Sequence, residues 1–289
     1  MSLVRFSQRD GLPRPGYILD DRVVALADIG DGRDAEDFFR SPNELRAAAR
    51  AALDDETTPR RDPSAVRLHH PVEPEKIVRL EGCYRQDVTD EGFNSRIEKD
   101  GLNEMDWPTS WTAPLSSTTG PRGPLTVPRY VSDVRPGLEV GLIVGTETRH
   151  WTGDDVADVV AGATVGASLT VHDELPGLEG YKMFDDAMAV GPGVTPLDSF
   201  PLDSAELRLS VDGERVATHR TDEWRFDPAE MISHVSELMT LKPGDIVFTG
   251  DPTRPTAPVE DGVRVEATVE GVGEVDVPVA KDDGGTGER

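Results

Sequence analysis

The chain has 289 residues, with 55 acidic against 30 basic side chains and a formal net charge of −25. That balance repels nucleic-acid phosphates and anionic membrane surfaces, so neither is expected as a partner. Only five of the basic residues are lysine, and excess carboxylate with little lysine suits a cytoplasm at multimolar salt, where screening removes the self-repulsion, so a halophilic origin is expected.

Residues 3–29 alternate as short strands, with Asp20-Asp21 as a hairpin-like turn. Residues 34–54 predict a helical pair broken at Ser41-Pro42, with Ser41 or Asn43 capping the second helix. The polar, proline-punctuated DDETTPRRDPSA predicts a linker. A small α+β N-terminal domain is therefore expected over 1–65. From residue 66 strands dominate. VRLHHP and EKIVRLEGCY lead into an irregular stretch, 87–135, that carries Trp107, Trp111 and Tyr130; loops of that length are usually functional.

PGLEVGLIVG, residues 136–145, reads as a buried strand that carries Glu139 on the same face as Gly141 and Ile143. A helix with Thr152 as N-cap should follow, then the strand AGATVGASLTV. AELRLSVDGERVATHR predicts a hairpin around Asp212-Gly213, and residues 227–240 predict a helix. DIVFTG, VRVEATVEGV and GEVDVPVA predict the closing strands, and the tail 281–289 is expected to be disordered. The fold class is thus mixed α/β, mainly β.

The lone Cys83 excludes an intrachain disulfide and a cysteine-rich metal site. MSLVRFSQRD has no apolar signal region and no window approaches 18 apolar residues, so a cytoplasmic protein is expected. Dinucleotide, P-loop, HExxH and GxSxG signatures are absent. Adjacent His69 and His70 point to opposite faces of a strand and do not form a metal pair. His150, His219 and His234 fall in predicted surface turns or on a helix face.

Four segments stand together in order and spacing: PGLEVGLIVG, VAGATVGASLTVHDELPG (160–177), YKMFDDAMAVGPGV (181–194) and LMTLKPGDIVFTGDP (238–252). MTLKPGDIVFTGDP is close to the pattern TL.PGD.I.TGTP, and over residues 70–280 the chain resembles the fumarylacetoacetate hydrolase family. The resemblance implies a twisted β-roll or sandwich over 66–280 and a homodimer. It also implies a divalent cation, Mg²⁺ or Mn²⁺, that chelates the oxygens of a small 2-oxo or β-diketo acid and acts as a Lewis acid. Acylpyruvates and aromatic ring-cleavage products are the implied substrates.

The family's E-x-E ligand pair maps Glu139 to its first glutamate and leaves Gly141 where the second would stand. Its ND.SARD pattern lines up with residues 167–173, which puts Ser168 at the aspartate ligand, His172 at the arginine and Asp173 at the final aspartate. Its NYxxH pattern lines up with residues 83–87, with Tyr84 retained and Asp87 in place of the histidine base. Lys182 matches a lysine that stabilises a substrate oxyanion; its alternative is an ion pair with Glu139. Asp185 is a further metal-ligand candidate, Tyr84 and Asp173 are substrate-binding candidates, and Thr249-Gly250 could offer backbone N–H groups to an anion. Two outcomes stay open: a hydrolase or lyase of the family's type, or a catalytically inactive relative that has lost the metal centre.

Overall fold

The computed structural model describes residues 1–8, 11–20, 22–29, 38–39, 42–85, 106–172, 182–253 and 257–282. Its strands are β1 (Ser2–Ser7), β2 (Arg14–Leu19), β3 (Arg22–Ala25), β4 (Arg67–Leu68), β5 (Ile77–Glu81), β6 (Thr109–Ala113), β7 (Thr118–Thr119) and β8 (Leu125–Val127). They continue as β9 (Val134–Val144), β10 (Val160–Val171), β11 (Met188–Pro196), β12 (Glu206–Val211), β13 (Glu214–Arg220), β14 (Ile246–Phe248), β15 (Arg264–Val269) and β16 (Gly273–Lys281). The helices α1 (Pro42–Asp54) and α2 (Pro228–Leu238) accompany them. None is long and apolar enough to cross a membrane among the described residues.

The larger sheet runs β3-β2-β1-β11-β10-β9-β14-β5-β6, and the smaller runs β13-β12-β15-β16-β8. Inside the larger sheet, between β10 and β14, lies β9, an eleven-residue strand with every residue but Arg135 buried. Alternation along β9 divides the interior in two. Leu138, Val140, Leu142 and Val144 join a core shared with Leu207, Val265 and Val277 of the smaller sheet. Ile143 faces the other way, into a second core with Ile77, Phe248, Met188, Leu3 and Leu45 of α1. Glu139 shares that second face, so the site lies on the side of the larger sheet turned away from the smaller one.

Strand β1 pairs with β11 through Leu3 opposite Val194, so the larger sheet continues across the division expected near residue 65. Helix α1 already runs at Pro42, so Asn43 lies within its first turn and is not its cap, while Ser41 and the helix over 34–37 lie outside the described residues. Helix α2 begins where predicted: the Asp227 carboxylate accepts from Glu230 N, and Glu230 accepts from Asp227 N, a reciprocal cap.

Two expectations are corrected. The predicted helix after Thr152 is a single 3₁₀ turn, Val156–Asp158, capped by Asp155. The residues just before that segment bond across to α2 and the stretch beyond it: Thr148 N to Leu241 O at 2.9 Å and His150 N to Ser236 O at 3.1 Å. The stretch 87–135 is not uniformly irregular, because β6, β7 and β8 fall within it. TSWTA pairs antiparallel with β5, Arg79 opposite Trp111. Residues 86–105 lie outside the described residues, as do 283–289 of the expected tail; Lys281 itself closes β16 opposite Val127.

Candidate functional site

Strand pairing decides which side chains meet on the second face. Gly137 lies opposite Ser168, Glu139 opposite Gly166, and Gly141 opposite Thr164. On the other edge of β9, Gly141 lies opposite Phe248, which in turn lies opposite Arg79 of β5. The Phe248 ring covers both glycines of the central row: a Cβ on either Gly141 or Gly166 would come within 2.8 Å of its Cε1. Gly141 is therefore the seat of an aromatic ring. Gly137 is bare for a different reason. A Cβ there would stand 1.9 Å from Asp251 Oδ2 and 3.0 Å from Ser168 Oγ. The position that shares a meeting point with Ser168 and Glu139 is thus 137, two residues before Glu139 rather than two after it.

Glu139 is 1% exposed. Its Oε1 accepts from Arg79 Nη2 and from Lys182 Nζ at 3.3 Å. Burial alone would push this carboxyl up, but the Arg79 guanidinium and the Lys182 ammonium outweigh it and hold it below the usual glutamate range. Arg79 is equally buried, and its Nη1 donates to the Lys182 carbonyl at 3.1 Å. One guanidinium therefore fixes both the acid and the backbone of the lysine. Lys182 Nζ also stands 3.5 Å from Asp251 Oδ2. Asp251 is oriented by Leu138 N at 3.2 Å, Thr253 N at 2.9 Å and Thr253 Oγ1 at 2.5 Å, all donating to its Oδ1. The Lys182 and Asp251 side chains are each 12% exposed, so they form the reachable edge of an otherwise sealed cluster. Three buried polar atoms in it have no partner among the described residues: Glu139 Oε2, Arg79 Nε and Ser168 Oγ.

Of the residues expected to act, the structure brings together Glu139, Lys182 and, across from Gly137, Ser168. It does not gather the others. Tyr84 is fully buried, tilted against Trp224 with ring centroids 6.3 Å apart. It packs in the core between the two sheets, on the opposite face from Glu139, and burial there removes it from a substrate-binding role. The Thr249 N–H donates to Val140 O at 2.9 Å and is not available to an anion. Gly250, at φ +86°, makes the left-handed turn past Leu80 and Cys83. His172 follows the end of β10, its N–H donating to Asp133 O at 2.7 Å. It is four residues beyond Ser168, roughly 13 Å along an extended strand. Asp185 is exposed and stands outside the cluster. Asp87 and Asp173 lie outside the described residues. The histidines set aside from metal binding have separate partners: His69 Nε2 meets Ser7 Oγ at 2.8 Å and His70 Nδ1 meets Val72 O at 2.8 Å.

Arg79 and Asp251 are the two members that the motifs do not announce. Each left a trace: an arginine in the middle of the apolar run IVRL, and an aspartate in TGDP where the pattern TGTP has threonine. The donor set does not fit the Mg²⁺ or Mn²⁺ implied by the resemblance. One oxygen of Glu139 is held by two cations, Asp251 Oδ1 has three donors, position 137 has no side chain, and Ser168 is a hydroxyl. No group of three or more His, Cys, Asp or Glu side chains among the described residues is disposed to hold a metal ion.

A family model described as fumarylacetoacetate (FAA) hydrolase, C-terminal, matches residues 76–280. An uncharacterised protein of Pyrococcus horikoshii is 30% identical over 234 residues, spanning 76% of this chain and 96% of its own. The mitochondrial oxaloacetate decarboxylase of Dictyostelium discoideum is 29% identical over 161 residues, or 52% of this chain and 72% of its own. Among solved structures, maleylpyruvate hydrolase from Sphingobium sp. SYK-6, in complex with manganese(II) ion and pyruvate, superposes with a TM-score of 0.78 at 26% identity. That match covers 98% of this chain and 100% of that one.

Proposed function

The chain belongs to the fumarylacetoacetate hydrolase family, and from that premise we propose that it acts on a small 2-oxo or β-diketo acid, of the acylpyruvate or ring-cleavage type, at the cluster of Glu139, Lys182, Asp251 and Ser168. The observation that carries this function is the placement of the Lys182 ammonium between two carboxylates, 3.3 Å from one and 3.5 Å from the other. Those are long contacts for an ammonium, so a stronger acceptor can draw one of its three N–H groups away. A substrate carboxylate or a developing enolate oxygen is such an acceptor. Lys182 stabilises that negative charge in a site largely closed to water, where a fixed cation is worth more than in solution. Glu139 and Arg79 hold the lysine in place, and the Ser168 hydroxyl is a further donor or acceptor for the bound acid. A hydrolysis, decarboxylation or keto–enol isomerisation each passes through such an oxyanion. The Dictyostelium and Sphingobium relatives, a decarboxylase and a hydrolase by name, support this class of substrate.

The protein works, in this proposal, as a cytoplasmic homodimer in a salt-rich cell on a free small molecule. The test is turnover of acylpyruvates and oxaloacetate in multimolar KCl by wild type and Lys182→Met. Removal of one preorganised oxyanion donor should lower kcat by roughly 100-fold or more. Absence of turnover by wild type on every acid tried would defeat the enzymatic function. One observation favours a second possibility, a relative that binds an acid without converting it: Arg79 and Lys182 hold the Glu139 carboxyl below the usual glutamate range, which makes it a weak general base. Binding of a 2-oxo acid without product would establish that outcome.

A further inference from the structure

The disagreement between the cluster and a divalent cation has a consequence for how substrate is held. We infer that Arg79 and Lys182 stand in for the metal, so that the site takes the carboxylate of a small 2-oxo acid directly and without any divalent ion. This rests on the same cluster as the proposed function but not on turnover.

Charge supports it. Glu139 and Asp251 face one guanidinium and one ammonium, and the cluster is neutral. The set implied by the family resemblance, three carboxylates around a divalent cation with a lysine beside it, is neutral as well. In this chain two of the implied carboxylate positions are a glycine and a serine, one new carboxylate enters from residue 251, and one monovalent cation enters from residue 79. The departures are several, yet they offset one another. A divalent ion added to the present set would meet two fixed cations and no uncompensated carboxylate.

Geometry supports it independently. Arg79 is built into the sheet opposite Phe248, and its side chain ends on Glu139 and on the backbone of residue 182. A side chain so buried and doubly held is a permanent fixture of the site. The Gly137 position is closed to any side chain by Asp251, so the bare glycine is matched to its new neighbour. Among the described residues Arg79 keeps a buried Nε–H without an acceptor, and Ser168 keeps a buried hydroxyl in the same state. Buried donors of that kind are normally satisfied, and an acid bound beside Lys182 brings the oxygens that would satisfy them.

The experiment titrates oxalate, as a mimic of the 2-oxo acid, into the full chain by calorimetry in multimolar KCl with EDTA, and then with Mn²⁺ in place of EDTA. In parallel, Mn²⁺ alone is titrated and followed by electron paramagnetic resonance. The expected result is oxalate binding in EDTA, changed less than about twofold by Mn²⁺, and no Mn²⁺ binding by wild type. Lys182→Met should weaken oxalate by about tenfold, the size of one lost charge-assisted hydrogen bond. Arg79→Met should weaken oxalate and bring in Mn²⁺ binding, while Arg79→Lys, which keeps the charge, should stay free of Mn²⁺. If Arg79→Met fails to fold, the wild-type, Lys182→Met and Arg79→Lys titrations still decide. Mn²⁺ binding by wild type that tightens oxalate would overturn the inference, as would no oxalate binding or oxalate binding indifferent to Lys182→Met. Oxalate binding in EDTA without turnover of any 2-oxo acid would defeat the enzymatic function and leave this inference intact; turnover that requires Mn²⁺ would do the reverse.

Discussion

Gly141 gives up its side-chain space to the Phe248 ring, and Gly137 gives up its own to the Asp251 carboxylate. Between them Glu139 is left as the one acid of its strand face, and the strength of its attachment to Arg79 is measurable. Glu139→Ala would leave a guanidinium buried with no carboxylate beside it, and should cost about 3–5 kcal/mol of folding stability. Replacing the pair together, Arg79→Met with Glu139→Leu, should return most of that loss, because two apolar side chains need no partner in that interior. Denaturant unfolding of both variants at one fixed salt concentration checks this. Equal losses in the single and the double variant would show that packing, not the charge pair, carries the stability. Glu139 and Lys182 are legible in the chain because they sit in motifs with a known order. Arg79 and Asp251 are legible only as oddities, since a lone charge in an apolar run does not name its partner.

At the scale of elements, period and capping decide well where the segment is bounded by its own chemistry. Helix α2 starts at a proline behind an aspartate and carries glutamate at its third position, and the reciprocal bonds form as those residues dictate. Asp227→Ala should therefore cost about 1 kcal/mol, and Asp227→Asn much less, read from thermal unfolding at neutral pH. No difference between the two variants would show that the cap does not support the fold. The segment after Thr152 carries similar local signals and yet makes only one 3₁₀ turn, because the preceding residues bond across to the end of α2. Local propensity loses there to partners about 90 residues away. The strand β9 shows the opposite case: alternation alone assigns Leu138, Val140 and Leu142 to one face and Glu139, Gly141 and Ile143 to the other, and the two cores divide on that line.

For the whole molecule, His70 couples folding to pH. It lies in the connection between β4 and β5, and burial, aided by the nearby Arg5 charge and opposed by its bond to Val72 O, lowers its pKa to about 4. Unfolding restores an ordinary imidazole near 6.5, so the unfolded chain binds the extra proton first. Stability from this group is complete above pH 6.5 and falls as pH drops from there toward 4, by about 3 kcal/mol over the window. Unfolding free energies at pH 7 and pH 4.5 for wild type and His70→Gln check it: the variant should show a shallower fall, and an equal fall in both would assign the acid sensitivity to carboxylates instead. The sequence by itself determined that this is a mainly β chain of strongly acidic surface, that β9 is a buried strand with one acid in it, and which family it resembles. These follow from composition, period-two alternation and local motif order, which are properties of neighbours along the chain. Only the tertiary structure decided that Gly141 belongs to Phe248, that position 137 is the one that meets Ser168, and that Glu139 is held by an arginine. Arg79 is 60 residues from Glu139, and Lys182 is 43. A charge acquires its meaning from the distance to its counter-charge in space, and that distance is set only when the strands pair.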